Sequence, residues 1–410
     1  MNPFTPSTLS ALATEHGTPL WVYDAATIQR QIAALKQFDV IRFAQKANSN
    51  THILRLMKAE GVMVDSVSLG EIERAIAAGF QNHEIVFTAD VLDRPTLKRV
   101  VEWGIATNCG SIDMLNQLGA VSKNHPVWLR INPGFGHGHS NKTNTGGEHS
   151  KHGIWHTDLV LACERVRANG LSLQGLHMHI GSGVDYAHLQ EVCGAMVDLV
   201  KCVQAQGLDV KAISAGGGLS IPYRAEDATI DTSHYFQLWD AARNEIAALL
   251  GHPVTLEIEP GRYLVAESGV LVTEIRAVKN QGTQPFTLVD AGFTELVRPA
   301  MYGSHHEMEI IHTNPATGEL VDTVVAGPLC ESGDVFTQEE GGVVLRRSLP
   351  QAQVGDLLVL HDTGAYGASM SSNYNTRPLI PEVLIENGKP RLIRRRQTVA
   401  ELLALEITPT

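Results

Sequence analysis

Val40-Ile41-Arg42-Phe43-Ala44-Gln45-Lys46-Ala47 is a short apolar run that closes on polar residues, with Asn48, Ser49 and Asn50 beyond it. The pattern then recurs. Runs at 62–68, 84–88, 105–111, 127–133, 173–181, 210–218 and 254–261 are apolar or β-branched, and nearly all close on glycine, serine or another polar residue. Between them, 71–78, 94–103, 112–118, 157–169, 186–206 and 233–250 carry the longer spacing of amphipathic helices. Eight strands alternating with helices predict a (β/α)8 barrel of the TIM type, whose strands all open their C-terminal ends on one mouth. A doubly wound open sheet gives the same alternation, but the count of eight and the polar strand ends favour the barrel.

After about residue 265 the character changes. Stretches at 269–279, 285–290, 321–326, 356–361 and 379–386 read as strands with little helix between them, and 399–405 reads as a closing helix. Residues 19–23, Pro-Leu-Trp-Val-Tyr, are also strand-like and precede the barrel. The expected fold is therefore α/β plus β: a barrel over 27–265, and a β-rich, sandwich- or barrel-like domain made of 1–26 and 266–410.

The bulk numbers suit two cores. The chain has 410 residues, 43% hydrophobic and 19% charged. A formal net charge of −12 argues against a nucleic-acid or anionic-membrane partner. Arg394-Arg395-Arg396 reads as a solvated or salt-bridged surface. No apolar stretch approaches the roughly 20 residues that span a bilayer, and residues 1–10 lack the basic start and apolar run of a secretory signal. Cys109, Cys163, Cys193, Cys202 and Cys330 are odd in number and show no CxxC spacing. Reduced thiols and a cytoplasmic location are expected.

The strand ends carry the chemistry. Lys46 places an amine at the mouth, where it can form a Schiff base. His177 and His179 lie two apart and so share a strand face. A metal pair would need a third ligand at a recognisable spacing, and core packing is the ordinary alternative. The preferred reading takes His179, nearer the mouth, as a flat plate against a cofactor ring, with Gly181 and Ser182 turning toward a phosphate. Glu257 and Glu259 alternate in the same way, and Glu259 at the barrel end can hold a pyridinium nitrogen. Gly216-Gly217-Gly218 and Gly261-Arg262 follow the seventh and eighth strands, where barrel enzymes frequently bind phosphate. This is the equipment of a pyridoxal-phosphate enzyme. Gly136-His137-Gly138-His139 with His149 and His152 invites a metal reading, but the loop over 135–152 reads better as a mobile lid, and no metal is expected. In the β-rich part, Cys330 sits among Gly, Pro and charged residues, which suits a reactive thiol. Tyr366 lies in a glycine-rich loop, and Arg298 with Tyr302 can grip a carboxylate.

Taken together, Gly327 to Phe336, Gly364 to Asn375 and the more widely shared HIGS, GGG and EPGR elements resemble the diaminopimelate decarboxylase family, particularly its enterobacterial type, from Trp21 to Leu405. The resemblance implies an alanine-racemase-like barrel with a β domain, working as a homodimer. Lys46 would carry the pyridoxal phosphate, with His179 on its ring and Glu259 at its nitrogen. Ser182, Gly217, Gly218, Gly261 and Arg262 would surround its phosphate, and Asp65, Arg130 and Tyr366 would also contact it. Arg262, Arg298, Tyr302, Glu331 and Tyr366 would bind meso-diaminopimelate. Cys330 would be the acid, reaching the site with Glu331 from the partner subunit. Leu69 and His152 stand where relatives commonly carry Gly and Phe. The rival readings are a decarboxylase for another amino acid (ornithine, arginine or carboxynorspermidine), an alanine-type racemase, a non-catalytic pyridoxal-phosphate carrier and a metal-dependent lyase.

Overall fold

The computed structural model describes residues 3–135, 146–179, 185–313 and 318–407. A helix, Pro6–His16, and strand β1, Leu20–Asp24, come first, and a helix at Ala25–Ala33 leads on. Nine strands follow: β2 (Val40–Ala44), β3 (Met63–Ser66), β4 (Ile85–Ala89), β5 (Ala106–Cys109), β6 (Pro126–Asn132), β7 (Ile154–Trp155), β8 (Ser172–His177), β9 (Ala212–Ser214) and β10 (Thr255–Ile258). Eight of them run in the order β5-β4-β3-β2-β10-β9-β8-β6, and β5 pairs again with β6, so the parallel sheet closes on itself. The barrel expected from the alternation is thus present. The short β7 adds to β6 at Ile131 and Asn132. Because helices cover the outside and side chains fill the inside, barrel strands are buried on both faces, as in β6 from Val127 to Asn132.

Local chemistry ends each helix where the next strand must begin. The helix Arg94–Trp103 starts at Asp93, whose carboxylate accepts from Thr96 N at 2.8 Å, with a proline in its first turn. It stops at Gly104, whose φ of 63° lets the chain reverse into β5. A helix at Thr51–Ala59, capped by Asn50, was not expected from the sequence. Its apolar residues Ile53, Leu54, Leu56 and Met57 are crowded into one turn and a half, so the helical period barely repeats.

The β-rich part contains β11 (Gly269–Gln281), β12 (Gln284–Val289), β13 (Met308–Ile311), β14 (Leu320–Ala326), β15 (Arg347–Pro350), β16 (Leu357–Leu360), β17 (Glu382–Glu386) and β18 (Lys389–Arg394). The order is β15-β14-β12-β11-β1-β17-β18, and β16 pairs with β11 and β13. β1 lies between β11, antiparallel, and β17, parallel. Alternate residues supply one core: Leu20 and Val22, Val270 and Val272, Leu357 and Val359, Val383 and Ile385, closed over by Leu9 and Leu12 of the first helix. Each such side chain contributes about 1.5–3 kcal/mol by leaving water. On the other face, Tyr23 donates to Glu382 Oε2 at 2.8 Å. The arginine cluster is spent on structure. Arg395 pairs with Glu401, Arg394 lies 2.9 Å from Glu382, and Arg396 donates to the carbonyls of Gly17, Thr18 and Pro19.

By chain contacts the molecule divides into two compact units. One is Met1–Arg30, Ile221–Ala228 and Val265–Thr410; the other, containing the barrel, is Gln31–Ser220 and Thr229–Leu264. All five cysteines are free. Among the described residues no helix is long and apolar enough to cross a membrane.

Two glycines make opposite tests of barrel packing. A Cβ at Gly175 on β8 would fall 2.1 Å from Ala212 O and 2.6 Å from the Trp128 ring. Gly194, inside the helix Tyr186–Ala205, has nothing within 4 Å of that position. Gly175→Ala is expected to destabilise by about 1–3 kcal/mol or more. Gly194→Ala is expected to stabilise by up to about 1 kcal/mol. Urea unfolding followed by circular dichroism measures both.

Candidate active site

The barrel interior is organised around buried charge. Arg42 on β2 and Glu257 on β10, neighbouring strands, form a two-pronged pair: Nε to Oε2 at 2.6 Å and Nη2 to Oε1 at 3.1 Å. Both side chains are buried, so the pair must offset the desolvation of two ions. Glu259 follows two residues later, just past the end of β10, and burial covers it as well. Its Oε2 lies 2.7 Å from His177 Nε2, and its Oε1 accepts from Ser214 Oγ at 3.3 Å. Burial alone would raise this carboxyl, but His177 and then Arg42 and Arg130 outweigh it and hold Glu259 below the ordinary carboxylate range.

Lys46 stands at the mouth in a different way from that expected. β2 stops at Ala44, and Gln45–Ala47 forms a 3-10 turn. Gln45 is buried and donates to Ser66 Oγ at 2.6 Å and Glu71 O at 3.1 Å, which pins the turn. Lys46 between buried Gln45 and Ala47 is exposed. Asp65 at β3 is buried, and its Oδ1 has no hydrogen-bond partner among the described residues. Burial, then Glu259, pushes its carboxyl up to about 7, with Lys46 opposing. Arg130 on β6 is buried in the field of Asp90, Glu259 and Asp65, though burial still lowers its pKa. His179 lies beyond β8 rather than in it. Burial first, then Arg130 and Lys46, lowers its pKa well below the ordinary value, so the ring is neutral. Its Nδ1 accepts from Gly217 N at 3.0 Å, which leaves its proton on Nε2.

The glycines are required by close approach. Gly216 has φ of 60°, and a Cβ there would fall 2.2 Å from Met178 O. At Gly217 a Cβ would meet Glu259 O at 2.6 Å and the His179 ring at 3.3 Å, and at Gly261 it would meet Ala44 O at 3.2 Å. Gly218 has φ of 111°. The loops after β9 and β10 therefore press bare backbone against the strand ends that carry Lys46 and His179. Arg262 opens the short helix Arg262–Val265 directly after them. An open amine, a neutral flat ring, an ionised carboxylate and a glycine cradle fit pyridoxal phosphate: an aldehyde, an aromatic plane, a basic ring nitrogen and an anion. Ser182, His137 and His139 lie outside the described residues. Among the described residues no cluster of three or more His, Cys, Asp or Glu could hold a metal ion.

The other sequence candidates belong to the β-rich unit. Arg298 is buried at the start of the helix Arg298–Tyr302, with Tyr302 half-buried at its far end. Its Nη1 donates to Tyr223 Oη at 3.1 Å and to His306 Nε2 at 3.0 Å, and its guanidinium lies 4.8 Å from the Tyr223 ring centre. Cys330 and Glu331 are exposed on a loop that Asp334 ties down by accepting from Leu329 N and Phe293 N at 2.8 and 2.7 Å. Asn375 Oδ1 accepts from Cys330 N at 3.1 Å. Tyr366, Asn375 and the β-branched Thr376 all have φ between 53 and 58°. Such backbone costs energy and gathers at functional sites.

Arg42, Ser214, Tyr223, His306 and Asn375 were not foreseen as site residues. Nor were His177 and Glu257, which were noted only as the alternating partners of His179 and Glu259. The period of two is the signal that places them one layer below His179 and Glu259. His152, one of the two departures from the family pattern, has a partner that Phe could not have: its Nδ1 lies 2.5 Å from Asp90 Oδ2, while Asp90 Oδ1 accepts from Gly153 N at 2.9 Å.

Residues 25–266 match the family described as pyridoxal-dependent decarboxylase, pyridoxal binding domain. The chain is 65% identical to the diaminopimelate decarboxylase of Escherichia coli, over 98% of this chain and 97% of that one. A crystal structure of a diaminopimelate decarboxylase superposes with a TM-score of 0.95 at 64% identity, covering 98% of this chain and 97% of the other. The Helicobacter pylori diaminopimelate decarboxylase complexed with L-lysine superposes with a TM-score of 0.86 at 30% identity, covering 97% and 98%.

Asp65 gives the site a pH signature in the cofactor-free protein. Its folded pKa of about 7 lies above its unfolded value. The folded state therefore binds the extra proton, and this contribution to stability is lost as the pH rises from about 4 to about 7. Asp65→Asn is expected to remove that loss. Melting temperatures of both proteins across the interval measure it, with a difference that grows toward pH 7 in favour of the variant.

Proposed function

Since this chain belongs to the diaminopimelate decarboxylase family, we propose that it removes the carboxylate from the D-centre of meso-2,6-diaminopimelate to give L-lysine and carbon dioxide, the last step of lysine synthesis. Its cofactor is pyridoxal 5'-phosphate. The observation that carries the reading is Glu259, held as an anion inside the barrel while His179 beside the glycine loop stays neutral. An ionised carboxylate can keep a proton on a pyridine nitrogen, which is what decarboxylation needs and what an arginine at this position would not supply.

When bound, the cofactor supplies an aldehyde that takes amines and a ring that accepts the electron pair left by a departing carboxylate. Lys46, through Nζ, is the amine that would hold the cofactor at its aldehyde. His179 offers its neutral face to the ring. Gly217, Gly218, Gly261 and Arg262, with Ser182, hold the phosphate, while Asp65, Arg130 and Tyr366 complete the polar surround. Arg298 grips the distal carboxylate with Tyr302 and Arg262, and Glu331 takes the distal ammonium. Tyr223 and His306 restrain the Arg298 guanidinium, so little side-chain freedom is lost when the carboxylate binds. Lysine lacks that second carboxylate and so forgoes the charge-assisted contact with Arg298, which penalises it as a substrate. Cys330 delivers its Sγ proton to the α-carbon after carbon dioxide leaves.

The division of labour belongs to the same proposal. Residues 27–265 bind the cofactor; 1–26 and 266–410 provide substrate and dimer contacts. The protein works in the cytoplasm as a homodimer in which Cys330 and Glu331 serve the partner's site.

Carbon dioxide release is expected from meso-diaminopimelate and not from the L,L-isomer, L-lysine, ornithine or arginine. Release from ornithine or arginine at a comparable kcat/KM would favour the second reading, a decarboxylase for another amino acid. Lys46→Ala is expected to abolish turnover, and Cys330→Ala to lower kcat by at least about a hundredfold. Mixing the two inactive variants and allowing subunits to exchange should restore about a quarter of wild-type activity, because half the dimers are mixed and each has one intact site. No restoration, with exchange shown by native mass spectrometry, would sink the shared site.

A further inference from the structure

His177 is left unused by the chemistry above, yet it is only 2% exposed and spends its Nε2 on the most consequential carboxylate in the barrel. Three neighbouring strands deliver the arrangement. His177 ends β8, Ser214 ends β9, and the register pairs them directly. Glu259 emerges from β10 on the far side of β9, with its own N–H bonded to Gly216 O at 2.8 Å. The carboxylate thus takes one donor on each oxygen, His177 on Oε2 at 2.7 Å and Ser214 on Oε1 at 3.3 Å. His177 Nδ1 is buried with no hydrogen-bond partner among the described residues. Nε2, which faces Glu259, is thus the ring nitrogen whose N–H has a partner to donate to.

The surrounding charges do not substitute for this contact. Arg42 is engaged by Glu257 on both of its bonded nitrogens, and Arg130 is shared among Asp90, Glu259 and Asp65. Asp65 and Glu259 each disfavour the other's charge, while Arg42 and Arg130 bias Glu259 toward the anion. Among the described residues, only His177 and Ser214 make side-chain hydrogen bonds that also fix its plane.

We propose that His177 is a positioning residue for the cofactor: by donating Nε2–H to one oxygen of Glu259, with Ser214 on the other, it fixes the orientation of that carboxylate and keeps it an acceptor for the N–H of the cofactor ring. The inference rests on the proposed placement of Glu259 at the ring nitrogen. Its class of effect is that of a group orienting a ligand from behind, where substitution typically costs on the order of ten- to a hundredfold.

The test uses holoenzyme reconstituted with pyridoxal phosphate labelled with 15N in the ring, whose nitrogen chemical shift reports protonation directly. His177→Phe keeps a ring and removes both nitrogens; His177→Gln keeps an N–H that reaches toward the same carboxylate oxygen. Wild type and His177→Gln are expected to hold the protonated shift to high pH. His177→Phe is expected to lose it at lower pH and to lower kcat on the order of ten- to a hundredfold, with KM nearly unchanged. Ser214→Ala, which leaves the imidazole in place, should move both readouts the same way by less, and it carries the test if His177→Phe does not fold. Glu259→Gln separates the two layers. If it alters the nitrogen shift while His177→Phe and Ser214→Ala leave the shift and kcat at wild-type values, the positioning role is overturned and the placement of Glu259 stands. If Glu259→Gln leaves the nitrogen protonated, the placement itself fails, and this inference fails with it.

Discussion

Keeping charge inside a closed barrel is the constraint on which the site depends. Arg42, Arg130, Asp65, Glu257 and Glu259 are all buried, and each would be prohibitively costly alone. The Arg42–Glu257 fork settles one pair, with both prongs made between neighbouring strands. What remains is a deliberately unbalanced set: Glu259 pulled down by its neighbours, Asp65 pushed up, and His179 kept neutral. Two carboxylates and an imidazole within one barrel end thus acquire different protonation states from their surroundings alone. A ligand carrying a cationic ring nitrogen and a phosphate complements that imbalance.

The same economy appears in the loops. Close packing of Gly216, Gly217 and Gly261 against the strand ends leaves no room for side chains there. In the β-rich unit, rigidity comes instead from side chains that tie loops to the sheet. Asp334 and Asn375 hold the Cys330 loop, and Tyr223 with His306 holds Arg298. Both solutions fix reactive groups before anything binds, which reduces the ordering cost at the moment of binding.

Much of this was legible along the chain. Alternating strands and helices gave the eight-stranded barrel, and the change after about residue 265 gave the β-rich sheet. Less was visible at the strand ends. Lys46 sits on a 3-10 turn and His179 and Glu259 lie past their strands, because polar residues at a barrel mouth follow hydrogen bonds rather than strand period. The helix Thr51–Ala59 escaped notice because its apolar residues are too few to establish a period. Tyr223 and Asn375 sit in loops, where no pattern announces a partner tens of residues away.

By itself the sequence determined the kinds of groups available and their spacing: an amine after an apolar run, histidines and glutamates two apart, glycines after the seventh and eighth strands. Spacing within a strand is a local property, set by the pleat, and survives without knowledge of the fold. The member of each pair nearer the mouth could be read from its place along the strand; what the inner member meets there only the tertiary structure decided. His177 meets Glu259 across 82 positions of chain, and Arg42 meets Glu257 across 215. The first meeting reaches across β9 from β8 to the end of β10, the second exists because a closed sheet brings its first and last strands side by side, and the shifted proton affinities of the site exist only once both have formed.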